Sequence, residues 1–118
     1  MSPGPSVDYD SLLINLKLAG AHVQISGGVD QPFLAVKSLV IRVDGQRVDV
    51  FQYKTEEEMV GDSLKITPDG YTVNSFPVSW EKPPHFFKSG RIIVLYLGDD
   101  QSVLRLLQKE LGEQFAGL

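Results

Sequence analysis

The chain has 118 residues, 42% of them hydrophobic and 22% charged, with a formal net charge of -4. This is the size and balance of one ordinary globular domain rather than of a disordered segment. The absence of cysteine excludes disulfides, thiolate zinc sites and cysteine nucleophiles, and eleven scattered Lys and Arg are too few for a duplex-binding surface, so no nucleic-acid partner is expected.

Residues 1–7 carry neither a basic region nor an apolar run, so they read as a flexible leader and not as a signal peptide. No apolar run approaches the roughly 20 residues of a membrane helix, so no membrane span is expected. The rest, 8–118, reads as a single soluble domain. Residues 8–19 predict a helix, with Asp8 or Asp10 as cap, Leu12, Leu13, Leu16 and Ala19 as its apolar stripe, and Gly20 at its end. Residues 21–26 predict a short strand that Gly27-Gly28 breaks.

Asp44-Gly45 between two alternating runs is the clearest local signal, because Asp-Gly favours a two-residue type I′ turn. That turn pairs Val43 with Gln46, Arg42 with Arg47, Ile41 with Val48, Val40 with Asp49 and Leu39 with Val50. One face then carries Leu39, Ile41, Val43, Val48 and Val50, and the other Arg42, Arg47 and Asp49. A slip of one residue scrambles this sorting, so patterning and turn chemistry specify the same register. Phe51 and Tyr53 fall on the polar face, under the next helix or in a subunit contact.

Thr55 and Glu58 have capping-box spacing and predict a weak helix to about residue 63, with Gly61 inside it. Thr67-Pro68-Asp69-Gly70 predicts a turn. Residues 71–75 predict a strand, and the alternation of Phe76, Val78 and Trp80 predicts a second. Residues 91–97, apolar nearly throughout, predict an interior strand covered on both faces. Asp99 predicts the N-cap of a last helix that buries Val103, Leu104, Leu107 and Leu111, with Gly112 at its end. The fold class is α+β: an antiparallel or mixed sheet with helices packed on it, including N-terminal and C-terminal helices.

Catalytic signatures are absent. The two histidines, His22 and His85, fall short of the three ligands a catalytic zinc needs, and there is no HExxH. No G-x-S-x-G elbow and no glycine-rich phosphate loop occurs. Asp99-Asp100 reads as a helix cap and a first-turn acid rather than as paired catalytic carboxylates. No metal and no cofactor are therefore expected. The segment 80–91, Trp-Glu-Lys-Pro-Pro-His-Phe-Phe-Lys-Ser-Gly-Arg, reads as a long loop stiffened by two prolines, carrying two aromatics, a histidine and cations. It has two readings. Either Phe86 and Phe87 plug the end of the core, or the loop binds something through His85, Phe87, Lys88 and Arg91.

The strings Pro83-Pro84-His85-Phe86, Gly90-Arg91, Val94-Leu95-Tyr96 and Gly98-Asp99-Asp100 resemble a family of small uncharacterised bacterial proteins. So do 31–33, 43–53, 68–70 and 111–117. Many members of that family look like envelope lipoproteins with this domain after the anchor. The resemblance spans most of the chain after residue 20 and implies no activity. It implies an envelope association, whereas the chain as it stands, without a lipobox cysteine, reads as cytoplasmic. Glu81-Lys82 stands where the family is more apolar. A looser similarity is to products of mobile integron gene cassettes.

The expected function is a non-enzymatic binding or protein-interaction module. It is expected to form a homo-oligomer and to take a small acidic ligand or a protein partner at His85, Phe87, Lys88 and Arg91. The alternatives are a small enzyme with His85 as acid/base, flanked by Glu81 or Asp99, and a structural accessory domain of the bacterial envelope.

Overall fold

Asp44 and Gly45 both sit at positive φ, 50° and 82°, the geometry of a type I′ turn that matches strand twist. In the computed structural model, which describes residues 8–31 and 33–117, this turn joins strands β2 (Ser38–Val43) and β3 (Gln46–Gln52). Their register runs from Val43 opposite Gln46 to Leu39 opposite Val50, as the sorting of side chains predicts. The expected leader, 1–7, lies outside the described residues.

Strand β1 (Val23–Val29) pairs antiparallel with β2 and forms one edge. Gly27-Gly28 does not break it. Pairing passes from Ile25 opposite Ile41 to Gly27 opposite Val40, so Ser26 is extruded in a bulge. Gly27, at φ 97°, absorbs the turn of the chain there. Helix α1 (Tyr9–Leu18) precedes β1. Asp8 is its cap, accepting from the Ser11 amide at 2.9 Å, and Leu12, Leu13 and Leu16 are buried while Ala19 is exposed.

Helix α2 (Glu56–Ser63) follows β3, and the Thr55 hydroxyl accepts from the Glu58 amide as its cap. The expected turn closes from the Gly70 amide to the Thr67 carbonyl at 2.8 Å. The expected strand over 71–75 is shorter. Asn74 and Ser75 take positive φ, 50° and 68°, and form the turn of a small separate hairpin of β4 (Thr72–Val73) and β5 (Phe76–Pro77).

The expected loop over 80–91 is mostly strand. Residues 84–89 form β6 (Pro84–Ser89), joined through Gly90 and Arg91 to β7 (Ile92–Leu97). Pro84 occupies the first residue of the strand, a position that tolerates proline. Strand β7 lies between β3 and β6, the interior place that its composition predicts. Helix α3 (Gln101–Leu111) is capped by Asp100 rather than Asp99. The Asp100 carboxylate accepts from the Ser102 and Val103 amides, which face one residue later than expected. A last short strand, β8 (Ala116–Gly117), adds to β6. Gly117 is required there: a Cβ would stand 2.1 Å from the Pro84 carbonyl oxygen.

The main sheet has the order β1-β2-β3-β7-β6-β8, antiparallel at every pairing. It separates two cores. On one face, α1 and α3 bring Leu12, Leu16, Leu107 and Leu111 against Ile41, Val48, Val50, Val94 and Tyr96. On the other, α2 and the small hairpin bring Met59 and Val73 against Phe51, Tyr53, Phe86, Ile93 and Leu95. Phe51 and Tyr53 thus lie beneath α2, one of the two places their position on the polar face allows. No helix among the described residues is long and apolar enough to cross a membrane.

Candidate functional site

Alternation along each strand decides which side chains face α2. From β3 these are Arg47, Asp49 and Phe51, from β7 Leu95 and Leu97, from β6 Phe86, and from β2 Arg42. Over these residues lies a groove of about 480 Å³. The loop carrying Phe33 and Leu34 forms one wall, and Trp80, Glu81 and Lys82 form another. The apolar floor is Phe51, Phe86, Leu95 and Leu97, and Arg42, Gln46, Arg47 and Asp49 contribute its polar part.

Both walls are held from beneath. The Gln31 carboxamide accepts from the Phe33 and Leu34 amides at 2.7 Å each and donates to the Leu34 and Val36 carbonyls. The Ala35 amide donates to Asp62 at 2.8 Å. Asp62 also accepts from the Tyr53 hydroxyl at 2.7 Å and pairs with Lys65 at 3.0 Å. Burial alone would raise the Asp62 carboxyl, but the Ala35 amide, the Tyr53 hydroxyl and Lys65 outweigh it and hold it below the usual carboxylate range. The same burial, with the Asp62 charge beside it, drives the Tyr53 hydroxyl far above its ordinary value. On the other wall, the Trp80 indole donates to the Gly70 carbonyl at 2.7 Å and meets Phe86 edge-on at 6.1 Å.

The charges of the groove are unevenly satisfied. Arg42 stands directly opposite Arg47 in the hairpin. Asp49 accepts from Arg47 Nε at 2.9 Å and Nη2 at 3.2 Å, and its Oδ2 also accepts from Ser38 at 2.6 Å. Arg42 makes one long hydrogen bond, 3.3 Å to the Gly45 carbonyl, and no ion pair among the described residues.

The four residues expected at the site are not brought together. Phe87, 2% exposed, belongs to the core beneath α3. His85, 7% exposed, points to that same face and stacks on Tyr96 at 6.1 Å. Its Nε2 donates to the Gly98 carbonyl at 2.9 Å, and its Nδ1 lies 2.8 Å from the Gln114 carboxamide. Lys88 points to the opposite face, 3.3 Å from the Ser63 hydroxyl and 4.9 Å over the Phe115 ring. Arg91 ties the turn to the start of α1, pairing with Asp8 at 3.2 Å. Of the two readings of this segment, the one with Phe86 and Phe87 in the core is formed, on a strand rather than a loop, and the reading of His85 and Phe87 as exposed binding-loop residues is corrected, because β6 buries Pro84 to Phe87 against cores on both faces. A second hollow, lined by His85, Leu104, Gln108 and Gln114 among others, lies on the α3 side.

No cluster of three or more His, Asp or Glu side chains able to hold a metal ion is found among the described residues. No family model, no curated protein and no solved structure matches the chain. The string over 83–100 forms β6, its turn, β7 and the cap of α3. Sequence reasoning singled out Arg42, Arg47, Asp49, Trp80 and Lys82 without joining them. Phe33 entered only as part of the string 31–33 and Leu34 carried no signal of its own, because Gln31 and Asp62 place them.

Proposed function

We propose that this protein is a non-enzymatic binding domain whose ligand lies in the groove between the Phe33–Leu34 wall and Trp80. The observation that carries this reading is a concavity of about 480 Å³ with fixed walls, an apolar floor and a few convergent polar groups. Small-molecule sites have those dimensions and that composition. Walls fixed in advance reduce the ordering cost of binding. The reading moves the site from His85, Phe87, Lys88 and Arg91 to a groove that, within the stiff segment, Trp80, Glu81, Lys82 and Phe86 line. An acid/base role for His85 has less support, since both ring nitrogens are engaged in holding β6 to the Gly98 turn and to Gln114.

Amide-resolved NMR with a set of small aromatic and aliphatic fragments tests it. Shift changes are expected at Leu34, Leu97 and the Trp80 indole. Changes confined to Leu104, Gln108 and Gln114 would move the site to the His85 hollow and restore the enzyme alternative.

A second copy of the chain is the other partner this reading admits. Strand β1 is an edge of the sheet, carries no charged side chain, and presents Ile25 at 64% exposure. Such an edge is a template for pairing. Sedimentation over a concentration series is expected to show a dimer that Ile25→Lys disperses, and a monomer at every concentration would sink the idea.

A further inference from the structure

The groove has a chemical polarity that narrows what it takes, and the inference below rests on the groove being the binding site. Two arginines face each other across β2 and β3. Like charges directly opposite destabilise a strand pair. Asp49 offsets the repulsion for Arg47 only. Two of that guanidinium's nitrogens reach the carboxylate, and Ser38 takes a further lone pair. Asp49 is thereby committed and does not reach Arg42. The Arg42 guanidinium has five N–H donors and, among the described residues, a single acceptor, the Gly45 carbonyl at 3.3 Å. This exposed cation, without an ion pair among the described residues, borders the apolar floor of the groove beside Glu81 and Lys82, in a chain whose net charge is -4, so a generally basic surface does not explain it.

We infer that the groove takes an amphipathic anion: a small aromatic or aliphatic carboxylate. Its hydrocarbon part lies on Leu95 and Leu97 against Trp80, and its carboxylate is held by Arg42. A planar carboxylate matches the guanidinium fork, and both oxygens can be bonded at once. The hydrocarbon supplies the affinity common to any apolar ligand, and Arg42 supplies the discrimination for charge. The anion also offsets the Arg42–Arg47 repulsion, so binding relieves a cost already present in the empty hairpin.

The test uses two probes of nearly the same shape, 4-phenylbutanoate and its neutral amide, 4-phenylbutanamide. Trp80 is the sole tryptophan of the chain, so its fluorescence and its indole proton resonance report on this groove without labelling. Each probe is titrated against the full chain and against Arg42→Gln, whose native fold is checked by circular dichroism. The carboxylate is expected to bind the unmodified protein at least about tenfold more tightly than the amide, a gap of about 1.4 kcal/mol. Arg42→Gln is expected to erase that gap by weakening the carboxylate much more than the amide. Arg42→Lys, which keeps the charge and loses the fork, is expected to retain only part of it.

If the two probes bind equally to the unmodified protein, or if the preference survives in Arg42→Gln, the inference is overturned and the groove remains a site for neutral ligands. If neither probe perturbs Trp80 while both shift resonances elsewhere, the groove reading itself falls, and this inference with it.

Discussion

Asp62 shows how one side chain can shape a site it does not line. Its carboxylate bonds the Ala35 amide behind the Phe33–Leu34 wall, the Tyr53 hydroxyl on the sheet and the Lys65 ammonium beyond α2. Only the ionised form accepts from all three, which is why the group is held below its ordinary value despite burial. A carboxyl depressed in the folded state contributes stability that is complete above its unfolded value, about 3.9. That contribution drains away as pH falls through the lower folded value. Asp62→Asn is therefore expected to cost about 1–3 kcal/mol at neutral pH, through partners left poorly satisfied. It is also expected to flatten the loss of stability below about pH 4 relative to the unmodified protein. Urea unfolding at neutral and acidic pH measures both. Parallel pH profiles for the two proteins would show that the Asp62 charge does not support the wall. Asp8 adds to the same acid sensitivity, since the Ser11 amide and Arg91 hold its carboxyl low.

Elements were legible where two independent signals agreed and were misread where one signal acted alone. In the β2–β3 hairpin, turn chemistry and side-chain sorting specify one register, and that register is formed. Helix α2 begins where Thr55 and Glu58 place it. Strand β6 was misread because two prolines are a strong breaker signal, and Pro84 is harmless only where it happens to fall, at the first paired residue. Nor does β6 alternate in a way that reveals it, because His85 and Phe87 are buried on one face and Phe86 on the other. Strand β1 was cut short because two glycines resemble a break, and only the pairing distinguishes a break from a bulge. The candidate site divides in the same way. Arg42, Arg47 and Asp49 were visible as the polar face of the hairpin. The groove above them was not, because its walls depend on Gln31 and Asp62, which are distant from Trp80 and Lys82 in sequence and near them only in the fold.

The whole molecule is one sheet serving two cores, so neither core exists without the other's wall. Leu107→Ala on α3 and Met59→Ala on α2 each remove a buried side chain, and each is expected to cost about 2–5 kcal/mol. Because the sheet is shared, both are expected to lower a single transition. Trp80 fluorescence reports the groove side, far-ultraviolet circular dichroism reports the helices, and the two are expected to coincide in both variants. A Trp80 transition that separates from the dichroism in Leu107→Ala would show the two layers melting apart.

The placement of β7 has a consequence for how the chain finds its native pairing. Ile92, Ile93, Val94, Leu95 and Tyr96 are all buried, alternately on opposite faces. A slip of one residue sets hydrocarbon against hydrocarbon on either side, so burial does little to reject it, whereas the same slip in the β2–β3 hairpin would bury arginine. One oxygen on the strand does tell one alignment from another. The Tyr96 hydroxyl donates to Gln46 at 3.0 Å and accepts from the Asp100 amide at 3.2 Å, linking the hairpin tip to the first turn of α3. A slipped β7 would strip that hydroxyl of both partners, so it adds to misalignment a polar cost that the strand's own hydrocarbon does not supply.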